Sequence, residues 1–206
     1  METDVEIKNR ICGAAREQFY IHGFNKVTVD EIAAKLGMSK KTLYKYFPSK
    51  DDLVLEVTRA SISQMDLCCQ GFLNDASADF VVKLKNMMTF VAMQYAKMGR
   101  PLMEDLEKNA PHIWKEIYQY REKSIMLYFG NLLKEGMARG VFRTDIDREL
   151  VLMIYNNAIQ NIIRPEVLSH VPYSAAQVFD AIIKIIFEGI LTDEAKPRYL
   201  SNHPSV

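Results

Sequence analysis

Apolar residues recur at helical spacing along nearly the whole of this chain. Ile7, Ile11, Ala15 and Phe19 fall every four residues, which places them on one stripe of a helix. No stretch alternates apolar and polar residues with a period of two, and no Asn-Gly or Asp-Gly pair offers a hairpin turn. The fold class that follows is all-α. Of the 206 residues 49% are hydrophobic, enough to build one large or two small cores.

Local punctuation divides the first quarter into short helices. Gly23 stands where a C-terminal cap would end the first. Thr28 and Glu31 form a capping box that opens a second, with Ile32, Ala33 and Leu36 turned inward and Gly37 supplying a left-handed turn. Ser39 caps a third, which runs to about Tyr46 on the inward anchors Leu43 and Phe47 and stops before Pro48. Ser49 and Asp52 restart the chain as a longer helix toward Cys68. Longer helices follow, with breaks expected near Leu73–Asp79, Gly99–Pro101, Ala110–Pro111, Gly140–Asp147 and Arg164–Tyr173. No solenoid repeat and no low-complexity tract appears.

Two short helices joined by Leu36-Gly37-Met38-Ser39 carry the helix-turn-helix signature. The charge supports that reading. Six lysines (26, 35, 40, 41, 45, 50) against Asp30 and Glu31 leave +4 between Lys26 and Lys50; the whole chain is neutral, so the remainder sums to −4. A basic segment on an acidic body draws one face toward a polyanion, although a charge run is also what a solvated face looks like. With Leu43 and Phe47 as anchors, Lys40, Lys41, Tyr44 and Lys45 project from the other faces of the third helix. Lysines suit phosphate oxygens or guanine O6 and N7, Thr42 a thymine methyl, and the hydroxyls of Tyr44 and Tyr46 phosphates. Thr28 and Lys50 stand at helix starts, where free N–H groups favour an anion. The candidate DNA-binding residues are thus Thr28, Ser39, Lys40, Lys41, Thr42, Tyr44, Lys45, Tyr46 and Lys50.

Phe19, Gly23, Thr28, Ile32-Ala33, Gly37-Met38-Ser39, Leu43-Tyr44, Phe47, Lys50 and Leu53 stand in a register that resembles the DNA-binding domain of the TetR family of bacterial transcriptional regulators. Lys41 departs from the pattern, where a small residue or proline is common, and adds charge. The resemblance implies an N-terminal three-helix domain over residues 1–50. It also implies a helical effector-binding and dimerisation domain over 51–195, here followed by a tail over 196–206. It implies too a homodimer that binds a double-stranded, pseudo-palindromic operator and is released by a small-molecule effector.

The last two long helices point to self-association independently. One carries Leu150, Met153, Ile154, Ala158 and Ile162; the other is apolar nearly all round, from Val178 and Phe179 to Ile190 and Leu191. Such a helix must be buried nearly all round, against a partner chain or a second face within the monomer. Met153, Ile154, Val178, Ile182, Ile186 and Ile190 are the expected dimer interface. The central helices are rich in methionine and aromatics, which suits an apolar ligand pocket and equally a plain core. Tyr95, Met98, His112, Trp114, Tyr118, Asn157 and Asn161 are the candidates for an effector pocket, although the asparagines also suit the dimer interface.

Rival readings find less support. No residue three before a histidine is a glutamate, so the Glu-x-x-His pairs of di-metal bundles are missing, and H-E-x-x-H, G-x-S-x-G and phosphate-binding glycine loops are absent. No cofactor or metal is expected, and an enzyme is the least favoured class. A helical protein-interaction module, or an activator on the same fold, is the alternative. Adjacent Cys68 and Cys69, with Cys12 far off, read as helix cysteines or a thiol sensor but give no disulfide framework. The opening residues are charged, and "AIIKIIFEGIL" (Ala181 to Leu191) is too short to span a bilayer. A cytoplasmic protein with no membrane partner is expected.

Overall fold

A computed structural model describes residues 3–75, 77–98 and 100–200. Its ordered elements are helices, apart from one antiparallel bridge between Phe142 and Leu191. Packing divides the chain into two compact units, Met1–Gln64 with Lys97–Ile117, and Met65–Ala96 with Tyr118–Val206.

The first unit is assembled from helices whose ends are set locally. Helix α1 (Asp4–His22) starts at a capping box between Thr3 and Glu6. Helix α2 (Val29–Lys35) starts at the expected Thr28–Glu31 box. It closes in a Schellman turn: Met38 N–H donates to the Ala33 carbonyl at 3.0 Å and Gly37 N–H to the Ala34 carbonyl at 3.1 Å. That turn needs the positive φ of 65° that Gly37 adopts. Helix α3 (Lys40–Tyr46) is capped by Ser39, whose Oγ accepts the Thr42 N–H at 3.1 Å. Helix α4 (Lys50–Asn74) begins where Ser49 Oγ accepts from Asp52 N–H, and runs past Cys68.

Ile11, Ala15, Phe19, Ile32, Leu43 and Leu53 are completely buried in one cluster. Burial of each large side chain stabilises by about 1.5–3 kcal/mol. Helix α6 (Arg100–Asn109) and the start of α7 (Pro111–Ser124) add Leu102, Leu106, Ile113 and Ile117 to the same cluster. Consequently the packing units are not the segments 1–50 and 51–195. The first core takes in Leu53, Val54 and Val57 of α4, and the chain returns to it at α6. Gly23 explains part of that closure. At φ 78° it passes so near α6 that a Cβ would collide with the Asp105 carboxylate and the Pro101 carbonyl. The Asn25 N–H donates to the same carboxylate at 2.9 Å.

The second unit holds the end of α4 and nearly all of α5 (Phe80–Lys97). The end of α7 leads into a π-helical turn (Ile125–Phe129) and α8 (Gly130–Ala138). After these come α9 (Arg148–Ile162), the short α10 (Pro165–Leu168), α11 (Ala175–Ile190) and α12 (Ala195–Leu200). Asp147 caps α9, and Ser174 with Gln177 caps α11, both as expected. The core is aromatic: Phe142 stacks on Phe187 at 6.0 Å, and Phe129 lies 4.2 Å from Tyr155 between ring centres. Gly136 is required because a Cβ there would run into the Phe142 ring.

Several expectations need correction. The π turn interrupts what periodicity reads as a plain helix, because Ile125, Tyr128 and Phe129 all turn inward. The Arg164–Tyr173 break contains a helical turn opened by Pro165 at its first position. The tail expected from residue 196 begins as helix α12, anchored by buried Ala195; residues 201–206, like Gly99 in the expected break, lie outside the described residues.

Candidate DNA-binding surface

Leu43 is wholly buried and holds α3 against the first core, while Ser39, Lys40, Lys41, Thr42, Tyr44 and Lys45 lie exposed around it. This is the arrangement a groove-reading helix needs: apolar anchors behind, polar side chains forward. Several of the polar heads are already held by the chain. The Lys40 ammonium pairs with Asp30 at 2.8 Å, and the carboxylate beside it raises the lysine pKa. The Ser39 and Thr42 hydroxyls lie 2.8 Å apart. Tyr46, half-buried, donates its hydroxyl to Asp4 of α1 at 2.9 Å, and the Lys45 ammonium lies 5.6 Å from its ring centre. Among the described residues, the side chains of Lys41 and Tyr44 make no hydrogen bond or ion pair within the chain.

The two helix-start candidates are also occupied. The Thr28 backbone N–H and hydroxyl both donate to Glu31 Oε2, at 2.7 and 2.9 Å, and these two bonds lower the glutamate pKa, while Thr28 Oγ1 accepts from the Glu31 N–H. Lys50 donates to the Asn25 carbonyl at 3.2 Å and sits 5.3 Å from the Phe24 ring centre. Burial lowers its pKa, against the pull of Asp105, Asp51 and Glu31. The sequence reading named the lysines and tyrosines but not their holders Asp30, Asp4 and Asn25. Asp30 had a local signal, as an acid in the first turn of α2; the others stand 42 and 25 residues from their partners.

The expected interface residues divide. Met153 and Ile154 on α9 are 54% and 58% exposed, and Leu150 beside them 50%. On α11, Ile182 and Ile190 are buried in the chain's own core, Val178 and Ile186 are half-buried, and Ile185 is 73% exposed. The outward row of α11 is therefore Val178, Ala181, Ile185 and Gly189. Ile182 and Ile190 face inward because α11 lays its other side on Phe129, Phe142 and their neighbours.

The effector-pocket candidates do not form one group. Met98, His112 and Trp114 belong to the first unit, where Met98 and Trp114 pack on its core and His112 is exposed. In the second unit Tyr118, Asn157 and Asn161 are exposed, Asn157 capping the Met153 carbonyl and accepting from Asn161. Of the set, Tyr95 meets interior groups of that unit: Phe179 at 5.1 Å and the Arg121 guanidinium at 5.3 Å. The buried polar residues there are ones the sequence reading did not select. Arg121 donates to the Ile163 carbonyl at 3.3 Å. Gln160, 1% exposed, donates to the Tyr118 carbonyl at 2.9 Å, and its Oε1 and the Oδ1 of Asn156 are buried without a partner among the described residues. Tyr120 and Tyr128 both donate to Asp66 Oδ1, at 3.1 and 2.5 Å. Burial pushes the Tyr120 and Tyr155 phenols well up and that of Tyr128 to about 12.

Among the described residues no helix is long and apolar enough to cross a membrane. Residues 11–57 match the family described as "Bacterial regulatory proteins, tetR family". The chain is 26% identical over 167 residues to YvaF, an HTH-type transcriptional regulator of Bacillus subtilis (strain 168), spanning 81% of this chain and 87% of that relative. It is 26% identical over 186 residues to the HTH-type transcriptional repressor KstR2 of Mycolicibacterium smegmatis, spanning 89% and 90%. A TetR-family regulator structure from Agrobacterium tumefaciens superposes with a TM-score of 0.69 at 17% identity, over 92% of this chain and 100% of that one. Residues 11–57 thus form a helix-turn-helix domain of the tetR family of bacterial regulatory proteins, and over most of its length the chain is similar to HTH-type transcriptional regulators.

Proposed function

We propose that this regulator is a homodimeric repressor that binds a pseudo-palindromic operator and is released by a small-molecule effector. The observation that carries the dimer is the outward row on α9 and α11, two helices in contact with each other. Leu150, Met153, Ile154 and Ile185 are exposed apolar side chains on these two helices, and two copies placed face to face would bury them in a four-helix arrangement. A two-fold dimer presents two recognition helices to matching half-sites. Thr28, Ser39, Lys40, Lys41, Thr42, Tyr44, Lys45, Tyr46 and Lys50 then meet DNA. Repression is supported by the repressor name of KstR2.

The interior polar groups of the second unit support an effector. Two buried acceptors without partners, on Asn156 and Gln160, are costly in a closed core. A molecule that brings donors to them relieves that cost. Its effect on operator binding is limited to the difference in its affinity for the two states. These residues, with Tyr95 and Arg121, replace the scattered pocket of the sequence reading as the proposed effector site.

The test is selection of bound sequences from a random duplex pool, followed by a reporter driven through the enriched site. An enriched inverted repeat and a silenced reporter are expected. A reporter that rises with the protein would make it an activator, and no enrichment would remove the operator.

A further inference from the structure

We propose that Asp30 and Lys40 read one G·C base pair in each half-site as a single unit. The inference rests on α3 being the recognition helix. Lys40 is the first residue of α3 and Asp30 the second of α2, and Nζ and Oδ2 are 2.8 Å apart with both side chains more than half exposed. Base edges are met by the N-terminal residues of a recognition helix. Wherever the Lys40 ammonium goes in the groove, a carboxylate goes with it.

That carboxylate is the informative group. Asp30 is not the cap of α2, since Thr28 and Glu31 already satisfy the first turn between them. Close to phosphate it would be repelled. In the major groove it can only accept, and the donors there are the amino groups of cytosine N4 and adenine N6. Only Oδ2 is engaged by Lys40; Oδ1 holds no hydrogen bond among the described residues. The ammonium, in turn, keeps two N–H bonds for acceptors, and its best groove partners are guanine O6 and N7. In a G·C pair, guanine O6 and the cytosine amino group are neighbours on the groove edge. A donor beside an acceptor on the protein therefore meets an acceptor beside a donor on the DNA. An A·T pair also sets a donor, adenine N6, beside an acceptor, thymine O4, but there the acceptor lies on the pyrimidine next to the thymine methyl, which a charged pair does not welcome, whereas guanine offers the ammonium both O6 and N7.

This assignment also gives Asp30 an effect on sequence-independent binding. A negative charge at the interface weakens attraction to every phosphate backbone. It therefore costs affinity on random DNA and returns it only where the base donor is present.

The experiment selects bound sequences from one random duplex pool with the full chain, D30A and K40M, and measures each on random duplex as well; thermal melting checks that the folds are equal. The wild type is expected to enrich an inverted repeat with a G·C pair at one position per half-site. Both variants should lose roughly tenfold of the base preference at that position and keep the others. On random duplex D30A should bind more tightly than wild type and K40M more weakly. Unchanged preferences in D30A, or a lost preference for A·T, would overturn the proposal while leaving α3 as the reader. A wild type that enriches no sequence would overturn that underlying reading, and this one with it.

Discussion

The hydroxyl of Tyr46 donates to the carboxylate of Asp4 at 2.9 Å, tying the last residue of α3 to the first turn of α1. Helix α3 has seven residues, too few to hold its own shape in water. Its direction is set by what grips it: Leu43 and Phe47 in the core, Asp30 on Lys40 at one end, Asp4 on Tyr46 at the other.

Removing the Tyr46 hydroxyl separates two roles for it. In Y46F the ring stays and the bond to Asp4 goes, which should weaken operator binding by roughly 2- to 10-fold. If Tyr46 serves by being held, D4N should weaken binding to a similar degree. Stronger binding by D4N would show that Tyr46 leaves Asp4 for a phosphate. Fluorescence titration of one operator duplex with both variants decides.

Two glycines on the first unit should respond differently to alanine. Gly37 has positive φ but open space, so G37A bears only the backbone cost, about 1 kcal/mol. Gly23 adds a collision with Asp105 and Pro101, and G23A should cost roughly 1–3 kcal/mol more. Denaturant melts of the two variants measure the gap; equal midpoints would deny the close approach of α6.

Neighbouring isoleucines on α11 should fail in opposite ways. Ile185 points outward and Ile182 into the core. I185D should give monomers that melt as folded protein, whereas I182D should lose several kcal/mol and unfold or aggregate. Size exclusion with thermal melting reads both. A dimer that survives I185D would remove the α9–α11 face as the interface.

Cys12 and Cys69 should both resist alkylation. Burial raises the Cys12 pKa to about 11 and that of Cys69 to about 12. At pH 8 roughly one Cys12 in a thousand is thiolate, so iodoacetamide should label both slowly in the native protein. The folded chain also keeps protons that the unfolded chain gives up from about pH 9. The two thiols therefore lower stability as pH rises from 9 toward 12, and contribute nothing to its pH dependence below that. Mass-resolved labelling against pH checks the first statement, and denaturant melts across the same range check the second.

What was legible in the amino-acid string was what lies close along it. Thr28 with Glu31, Ser39 with Thr42 and Ser174 with Gln177 stand three residues apart, and residue type at that spacing announces a helix start. Which side of α11 faces outward was not legible, since Ile182, Ile183, Ile185 and Ile186 are chemically alike and only the aromatic core behind them decides. The same applies to Asp4 and Asp105, whose partners lie 42 and 80 residues away. Periodicity reports a face, not who stands opposite. The effector candidates are spread over both units for a related reason. Exposed Tyr118, Asn157 and Asn161 have the right chemistry, while buried Gln160 and Arg121 sit among residues that read as ordinary helix surface.

The π turn at Ile125–Phe129 has a consequence for how this chain can change length. Such a turn is an α-helix carrying one surplus residue. Removing one residue from it would relax the segment to ordinary α geometry and leave the rotational phase of the helix before and after it intact. A deletion elsewhere in α7 or α8 would instead turn every later side chain by about 100° away from its partner. Natural relatives that lack one residue between Ser124 and Gly130 would therefore be expected to keep the packing of the helices on either side, with the rearrangement confined to the turn that carries Ile125, Tyr128 and Phe129.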